Sequence, residues 1–274
     1  MSTNVQPLIK YLQQLQRKGE SHVHLDENAR NVLREFFLVA KGYKKHPSQE
    51  AQSDPTITNN VQIKGSTSNE QIQFLASQAQ HWPPAKALGT LRDKPVFSGG
   101  DPNSDIMFIT DAPGFNEEQK GYPFAGPAGE KLDGILKAMG LNRDQVYITH
   151  LVKFRPSMPN QTTANRAPSE KEINTFSPFI DAEIKIVQPK VIISLGSVTS
   201  QHLLESPNDI DHLRDKFHTI PRVSVPIKVT YQPSYLLNNE AREDKRKVWE
   251  DMLAVMNQLG MPITDKQQSY FKAK

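Results

Sequence analysis

The sequence contains no cysteine among its 274 residues. Disulfide bonds, a thiolate nucleophile, and zinc or iron–sulfur sites held by cysteine are therefore excluded. The sequence also lacks any apolar run near the ~20 residues that span a bilayer. Its first residues lack the basic-then-apolar profile of a secretory signal. We therefore expect a cytoplasmic protein without a membrane partner.

Neither positive nor negative charge is in large excess in the sequence. The chain has 33 Lys and Arg residues and 30 Asp and Glu residues, which gives a formal net charge of +3 at pH 7. This balance is compatible with a polyanionic partner but does not require one, because many proteins with no nucleic-acid role are as basic. Charge alone therefore leaves the partner open.

The N-terminal part of the sequence differs in composition from the rest. Apolar residues recur at helical spacing in residues 5–18 and 26–41, which predicts two helices within an N-terminal helical segment, residues 1–43. Residues 44–69 are rich in Gln, Ser, Thr, Asn and Pro. We expect a flexible linker there, because such a stretch buries too little apolar surface to offset its ordering entropy. A third helix is predicted over residues 69–81.

From Val96 onward, short apolar strands alternate with helices. Four strands are predicted, at Ile106–Ile109, Val146–Thr149, Val191–Leu195 and Ile227–Tyr231. The alternation predicts an α/β fold with three layers, α/β/α, around a central and mainly parallel four-stranded sheet. This domain is expected to occupy residues 70–262, and residues 263–274 are expected to form a C-terminal tail.

Helix signals separate these strands. A helix over residues 128–139 is ended by Gly140, and Ser169 and Glu172 form a capping box that opens a long helix. A final helix is predicted over residues 241–259. Ligands of parallel sheets bind beyond the carboxyl ends of the strands, so the loops that follow the four strands are the candidate site.

Those loops carry unusual sequences. The first strand is followed by Thr110-Asp-Ala-Pro-Gly and then by Gly-Tyr-Pro-Phe-Ala-Gly-Pro-Ala-Gly129. The second is followed by Thr149-His-Leu-Val-Lys-Phe-Arg-Pro156, and the fourth by Tyr231-Gln-Pro-Ser-Tyr-Leu-Leu237. Together they resemble the uracil-DNA glycosylase superfamily, closest to the family 4 class that normally carries an iron–sulfur cluster. The corresponding segments of that class read G-E-A-P-G, G-R-P-F-x-G-x-A-G, T-N-V-V-K-C-R-P and H-P-x-Y-L-L. The resemblance covers roughly residues 82–260.

The resemblance implies a pocket for a base flipped out of DNA. Phe124 matches the aromatic residue that stacks on the flipped base, and the alternative is a Phe that only packs in the core. Ala112 falls in the same pocket. His150 stands where the family has an Asn that reads the uracil edge, and the alternative is a buried histidine satisfied by backbone. An imidazole cannot present a donor and an acceptor side by side as an amide does, so the base preference is open.

The resemblance also implies catalytic roles. Asp111 occupies the Glu position of the first loop, where a carboxylate orients water or stabilises the oxocarbenium-like sugar; the alternative is an Asp that bonds only local backbone N–H groups. Gln232 replaces the His that stabilises charge on the leaving base, and His150 is a further candidate for that task. Glu117 and Glu118 are next-best carboxylates, although a solvated acidic turn is the favoured interpretation of each.

DNA contacts follow from the same motifs. Leu236 aligns with the wedge residue that enters the duplex, with core packing as the alternative. The remaining predicted DNA-binding residues are Lys153, Arg155, Gly196, Ser197 and Ser234, with Arg166 beyond them as part of a basic rim.

The resembled class supplies four cluster cysteines at positions that align with Pro83, Lys86, Phe154 and Phe176. None of these residues can ligate iron, so we expect neither metal nor cofactor, and we expect packing to fill the volume. A related branch that forms a covalent adduct with DNA has a histidine before a Pro-Ser pair. Here Asn165-Arg166 stands in that neighbourhood, so covalent trapping is not expected.

The leading hypothesis is a monofunctional DNA glycosylase that removes uracil or another altered base, because the motifs place no Lys as a Schiff-base nucleophile. Its partner would be single- or double-stranded DNA, it would be a monomer, and in a bacterium it would associate with the nucleoid. The second hypothesis is a catalytically weak or silent DNA-binding module of the same fold. A third, a flavodoxin-like nucleotide-binding domain, would need a Gly-rich phosphate loop, which residues 110–114 provide poorly.

Overall fold

The computed structural model describes residues 60–220, 223–238 and 241–271. The helices predicted over residues 5–18 and 26–41 lie outside these ranges, as does most of the predicted linker. The third predicted helix is confirmed: it runs from Ser68 to Gln80, and Thr67 and Glu70 cap its N-terminus reciprocally.

Eight strands are present in the described part of the chain, six of them in one sheet. In chain order they are β1 Leu91–Pro95, β2 Ser98–Gly100, β3 Ile106–Thr110, β4 Tyr147–His150, β5 Phe154–Pro156, β6 Val191–Leu195, β7 Phe217–Ile220 and β8 Val223–Thr230. The sheet has the order β2-β4-β3-β6-β8-β7. Strands β4, β3, β6 and β8 are parallel, and the edge strands β2 and β7 are antiparallel to their neighbours.

The four parallel strands are the predicted ones, so the predicted centre of the sheet is confirmed. The two edge strands extend the sheet from four strands to six and were not predicted. Strand β2 is Ser-Gly-Gly, which carries no strand propensity, and β7 is only four residues long. A separate two-stranded sheet pairs β1 with β5.

The helices cover both faces of the sheet. In chain order they are α1 Ser68–Gln80, α2 Pro83–Leu88, α3 Phe115–Lys120, α4 Pro127–Met139, α5 Glu170–Val187, α6 Ser197–Leu204, α7 Ile210–Arg214, α8 Tyr235–Asn238, α9 Arg242–Gln258 and α10 Asp265–Ser269. The capping box at Ser169 is confirmed, because Ser169 Oγ accepts from the Glu172 N–H and Glu172 Oε2 accepts from the Ser169 N–H. Gly140 ends α4 in the left-handed conformation.

Two cores show the three-layer architecture directly. Met107 and Ile109 of β3 point into one core, which α1, α2, α5 and α6 cover. Ile106 and Phe108 of the same strand point into the other, which α4 and α9 cover. This alternation buries every residue of β3, as expected of a parallel strand covered on both faces.

Residues beyond 262 pack on the domain. Trp249 Nε1 donates to the backbone oxygen of Gln267, and Gln267 Nε2 donates to that of Ala138. Phe271 lies against the core between α4 and α9. The segment expected as a tail therefore holds a short helix, α10, within residues 263–271.

Candidate active site

The loops singled out in the sequence meet at the carboxyl edge of the parallel strands. Thr110, the last residue of β3, is paired with His150, the last residue of β4. The pairing continues into the loops, where the N–H of Leu151 donates to the oxygen of Thr110 at 2.7 Å and the N–H of Val152 to that of Asp111 at 3.0 Å. Beyond β6, the N–H of Gly196 donates to the oxygen of Thr230 at 2.9 Å.

Asp111 and Gln232 are joined directly. Nε2 of Gln232 donates to Oδ1 of Asp111 at 2.7 Å and contacts Oγ1 of Thr110 at 2.9 Å. Oε1 of Gln232 accepts from the hydroxyl of Ser234 at 3.2 Å. The loop after β3 and the loop after β8 are thereby linked through one amide.

Asp111 is half-buried at this edge. Burial raises its pKa above the ordinary value of 3.8, against hydrogen bonds from the Ala112 backbone, Thr110 and Gln232, which lower it. Ala112 thus contributes its backbone N–H to the carboxylate, while its side chain packs against the core. A carboxylate held in this way is a stronger base than an ordinary Asp.

Phe124 lies in a strained and tightly held loop. Its φ is +54°, a conformation that costs a non-glycine residue ~1–3 kcal/mol. Phe124 is 7% exposed and belongs to the core cluster that includes Leu132 and Leu136. Core packing, the alternative interpretation, therefore holds for Phe124, and its stacking role stays a prediction.

The left-handed conformation of Phe124 is stabilised by Arg143, which the sequence did not point to, and by Gly129. Nη1 and Nη2 of Arg143 donate to the carbonyl oxygens of Pro123 and Phe124 at 3.0 and 2.8 Å. The same guanidinium is bound through two atoms to Asp133. A Cβ at Gly129 would overlap the carbonyl oxygen of Phe124, so only glycine fits there.

The carboxylates of α3 are structural and not a solvated turn. Oε1 of Glu117 accepts from the N–H of Ala125 and Oε2 from that of Gly114, which fixes both ends of the loop. Glu118 is buried and bound to Arg155 and Arg92. Burial acts to raise its pKa, but hydrogen bonds from the two arginines hold it below the ordinary value.

His150 is buried, with 2% of its surface exposed, and its ring lies 6.4 Å from that of Phe124 at an interplanar angle of 19°. Burial and the nearby Lys153 lower the pKa of His150 to about 3, so the imidazole is neutral at physiological pH. Its Nδ1 has no hydrogen-bond partner among the described residues. The alternative interpretation, in which backbone groups provide the hydrogen bonds of this histidine, therefore fails for Nδ1.

The prediction that Lys153 contacts DNA phosphates is wrong, because its side chain is completely buried. Its Nζ donates to Oε2 of Glu183 at 2.5 Å, to Oγ1 of Thr149 at 2.7 Å and to the carbonyl oxygen of His150 at 2.8 Å. Lys153 is thus part of the support under His150.

The same prediction for Arg155 is wrong, because its side chain is 2% exposed and bound to Glu118 at 2.8 Å. Its other nitrogens donate to Asn165 and to the backbone of Thr162 and Ala164, which fixes the loop after β5. Arg166 does not form a basic rim either, since it binds both carboxylate oxygens of Glu172.

Leu236 is also buried, at 4% exposure, and packs with Tyr231 and Val248. The wedge prediction is therefore wrong and the core alternative is confirmed.

Ser197 is exposed at the N-terminus of α6, next to the buried Gly196, whose φ is +85°. Ser234 is half-buried beside Gln232, so these residues remain available to a backbone phosphate.

The four positions predicted to align with cluster cysteines do not suit an iron–sulfur cluster. Phe154 and Phe176 lie with ring centroids 5.8 Å apart, in a group of aromatic residues that includes Phe179. Pro83 opens α2 and Lys86 lies in its last turn. These residues offer no thiolate, and apolar packing occupies part of the volume. Within residues 60–271 as described, no three His, Asp or Glu side chains are grouped to hold a metal ion.

None of the helices described is long and apolar enough to cross a membrane.

Comparison with known proteins agrees with the motifs. Residues 97–253 match the sequence model of the uracil DNA glycosylase superfamily. The type-4 uracil-DNA glycosylase of Sulfurisphaera tokodaii is 37% identical over 187 residues, which are 66% of this chain and 80% of the relative.

Two further relatives carry the same name. That of Saccharolobus solfataricus is 38% identical over 175 residues, covering 60% of this chain and 78% of the relative. That of Thermotoga maritima is 33% identical over 192 residues, which cover 67% of this chain and 92% of the relative. All three similarities extend over most of the relative's length.

Proposed function

Since the chain belongs to the uracil-DNA glycosylase superfamily, we propose that it hydrolyses the N-glycosidic bond of uracil, or of another altered base, in DNA. Water would add to the sugar carbon, and the base would leave with the bonding electron pair and take up a proton. The products are a free base and an abasic site, without strand cleavage. The observation that carries the proposal is the convergence of Asp111, Phe124, His150 and Gln232 at one edge of the sheet.

Asp111 is assigned to the water and sugar side of the reaction. Its carboxylate would orient the attacking water and stabilise the positive charge that develops on the sugar. The raised pKa of Asp111 supports this role, because a stronger base takes a proton from water more readily. Gln232 would hold the carboxylate in position through its 2.7 Å hydrogen bond.

Phe124 and His150 are assigned to the base. The loop of Phe124 is fixed by Arg143, Glu117 and Gly129, so its ring would be in place before a base arrives. Such preorganisation lowers the cost of binding. His150 would meet the base edge from the end of the neighbouring strand β4.

DNA is the proposed partner. With Lys153 and Arg155 buried, phosphate contacts would come from Ser197 at the N-terminus of α6 and from Ser234 in the loop after β8. Hydroxyl groups and backbone N–H groups at a helix N-terminus are suited to phosphate oxygens.

A silent DNA-binding module of the same fold is the second candidate, and one observation favours it. The amide nitrogen of Gln232 is already bound to Asp111 and Thr110. Charge on a leaving base would therefore be stabilised less well than by the family's histidine, and losing such a donor costs about 10²–10³ in rate.

A panel of oligonucleotides, each with one altered base, separates the two candidates. The purified protein should convert at least the uracil-containing strand into an abasic site, detected by alkaline cleavage. Binding to the panel without release of any base would favour the silent module.

A further inference from the structure

We infer that Tyr122 and Tyr235 are stacking platforms for unpaired bases next to the target nucleotide, and that the protein acts on single-stranded DNA in preference to duplex. This inference rests on the proposed glycosylase function and adds the strand class to it. Two exposed tyrosines carry it, together with the burial of the side chains that were expected to engage a duplex.

The two tyrosines lie in loops that form the candidate site. Four large hydrophobic side chains are exposed among the described residues, and Tyr122, at 45%, and Tyr235, at 38%, are two of them. Tyr122 stands two residues before Phe124 in the loop after β3, and Tyr235 three residues after Gln232 in the loop after β8. The hydrogen bond between Gln232 and Asp111 joins these loops. Both tyrosines therefore belong to the surface around the proposed base pocket.

Tyr235 is held in one orientation before DNA arrives. Its ring stacks on that of the buried Tyr231, with centroids 5.0 Å apart and an interplanar angle of 20°. Its hydroxyl donates to Oδ2 of Asp244 at 3.3 Å. A base can extend this stack from the exposed side of Tyr235. Stacking of this kind accepts any sequence, because every base has a flat face, and a ring already fixed loses little side-chain entropy on binding.

The backbone on both sides of Tyr122 is fixed as well. The N–H of Gly121 donates to the carbonyl oxygen of Glu117 at 2.7 Å, and the carbonyl oxygen of Pro123 accepts from Arg143 at 3.0 Å. Two residues of chain span at most about 7 Å. When the target base lies on Phe124, a neighbouring base is therefore within reach of Tyr122.

The residues expected to engage a duplex are buried. Leu236 packs with Tyr231 and Val248, so it is not placed to fill the gap that a flipped nucleotide leaves in a duplex. Lys153 and Arg155 are held in buried ion pairs, which reduces the share of phosphate contacts in the affinity. Flipping a base out of a duplex breaks its pair and its stacking, a cost that is least for a base already single-stranded. Single strands are therefore the favoured substrate.

The test presents one uracil-containing sequence as a single strand and as a duplex with adenine opposite uracil, at one salt concentration. Wild type should release uracil from the single strand about tenfold faster or more in single turnover. Tyr122→Leu and Tyr235→Leu should each weaken single-strand binding by about fivefold to a hundredfold, the value of one stacked base. Their duplex binding should change by less than about threefold, which also shows that the variants are folded.

The choice of leucine separates a stacking platform from a wedge. Tyr235→Leu keeps an apolar side chain that can enter a duplex, but it has no flat face. Tyr235→Phe keeps the ring and should bind single strands as wild type does. Wild-type single-strand binding by Tyr235→Leu would overturn the inference.

Tyr270→Leu is the matched control. Tyr270 is also exposed and also packs on an aromatic ring, that of Trp249, with centroids 5.1 Å apart. It lies in the C-terminal segment, which binds Ala138 near the end of α4 that is remote from Phe124. This variant should bind both forms of DNA as wild type does. A loss of single-strand binding equal to that of Tyr235→Leu would mean that the effect does not belong to the site, and would overturn the inference.

Binding to a single strand without uracil, measured by fluorescence anisotropy, separates the inference from the proposed function. If uracil is released equally fast from both forms of DNA and the Leu variants bind as wild type does, the strand preference fails and the glycosylase function stands. If the Leu variants of Tyr122 and Tyr235 lose single-strand binding while wild type releases no base from any oligonucleotide, the glycosylase function fails and single-strand recognition stands.

Discussion

Gln232 Nε2 lies 2.7 Å from Oδ1 of Asp111, so the residue predicted to stand in place of a histidine of the family is bound to the proposed catalytic carboxylate. One amide thus links the loops after β3 and β8. Under the proposed function Gln232 is a positioning residue for Asp111, and this hydrogen bond determines what substitutions at both positions should do.

Asp111→Asn should stabilise the protein at neutral pH. Because the folded-state pKa of Asp111 is raised above 3.8, folding disfavours its ionised form, and wild-type stability is lost as pH rises from about 3.8 through the folded-state pKa. The Asn variant has no such loss. Its Tm advantage should therefore grow with pH over that window, as thermal denaturation at several pH values would measure. An advantage that is the same at every pH would contradict the assigned shift.

Gln232→His should raise the rate of uracil release by about tenfold or more. An imidazole at this place would lie beside the Asp111 carboxylate, which raises the pKa of a histidine. The charged ring could donate to Asp111 and to the leaving base at once, a stronger donor than an amide. Single-turnover rates would be compared with those of Gln232→Met, which keeps the length but has no donor. Equal rates for the two variants would mean that residue 232 is not the donor to the leaving base. A loss of activity in His150→Ala would then identify His150 as that donor.

Lys153→Met should destabilise the fold by about 3–5 kcal/mol, because it leaves the carboxylate of Glu183 buried without its partner. Adding Glu183→Gln should recover much of that loss. The matched control is Lys190→Met, since Lys190 forms an exposed pair with Asp105 and should contribute about 0–1 kcal/mol. Urea unfolding measures all three.

The salt dependence of DNA binding gives an independent check on Lys153. If Lys153 does not contact phosphate, its variant should bind DNA with an unchanged slope of affinity against salt concentration. A Lys153→Met protein that is folded under the assay conditions and whose slope is reduced by about one would restore the phosphate contact that the structure contradicts.

Phe124 and Arg143 should act as one unit. Phe124→Leu should lower base release by about tenfold to a hundredfold, since stacking on a base contributes ~1–3 kcal/mol. Arg143→Gln should also lower it, because Arg143 holds the carbonyls of Pro123 and Phe124. The double variant should lose little more than Phe124→Leu alone. Additive losses in the rate of base release would mean that Arg143 does not act through Phe124. Measuring the free energy of unfolding of each variant distinguishes a loss of activity from a loss of folded protein.

The sequence predicted the parts of the fold that depend on local pattern. The four parallel strands, the capping box at Ser169 and the convergence of the loops follow from periodicity and from the rule that parallel strands end at one edge. The edge strands β2 and β7 were missed because pairing with a neighbour, and not their composition, makes them strands.

The errors in the site have a common cause. The sequence motif predicted that Lys153 and Arg155 are basic residues of a DNA-binding loop. Lys153 is instead paired with Glu183, 30 residues away in sequence, and Arg155 with Glu118, 37 residues away. Such partners cannot be inferred from a motif. Arg143 was missed for the same reason, because its contact with Phe124 joins residues that no local pattern connects. Asp111, His150 and Gln232 were placed together because the ends of their strands determine where they lie.

The central claim is that Asp111 carries out base removal at this edge of the sheet. The most direct measurement is the single-turnover rate of abasic-site formation in a uracil-containing oligonucleotide, for wild type and Asp111→Asn at the same protein concentration and salt. Wild type should form abasic sites, and the Asn variant should lose about 10²–10⁴ of the rate while binding the oligonucleotide equally well. Equal rates for the two proteins, with both folded and bound, would contradict the account.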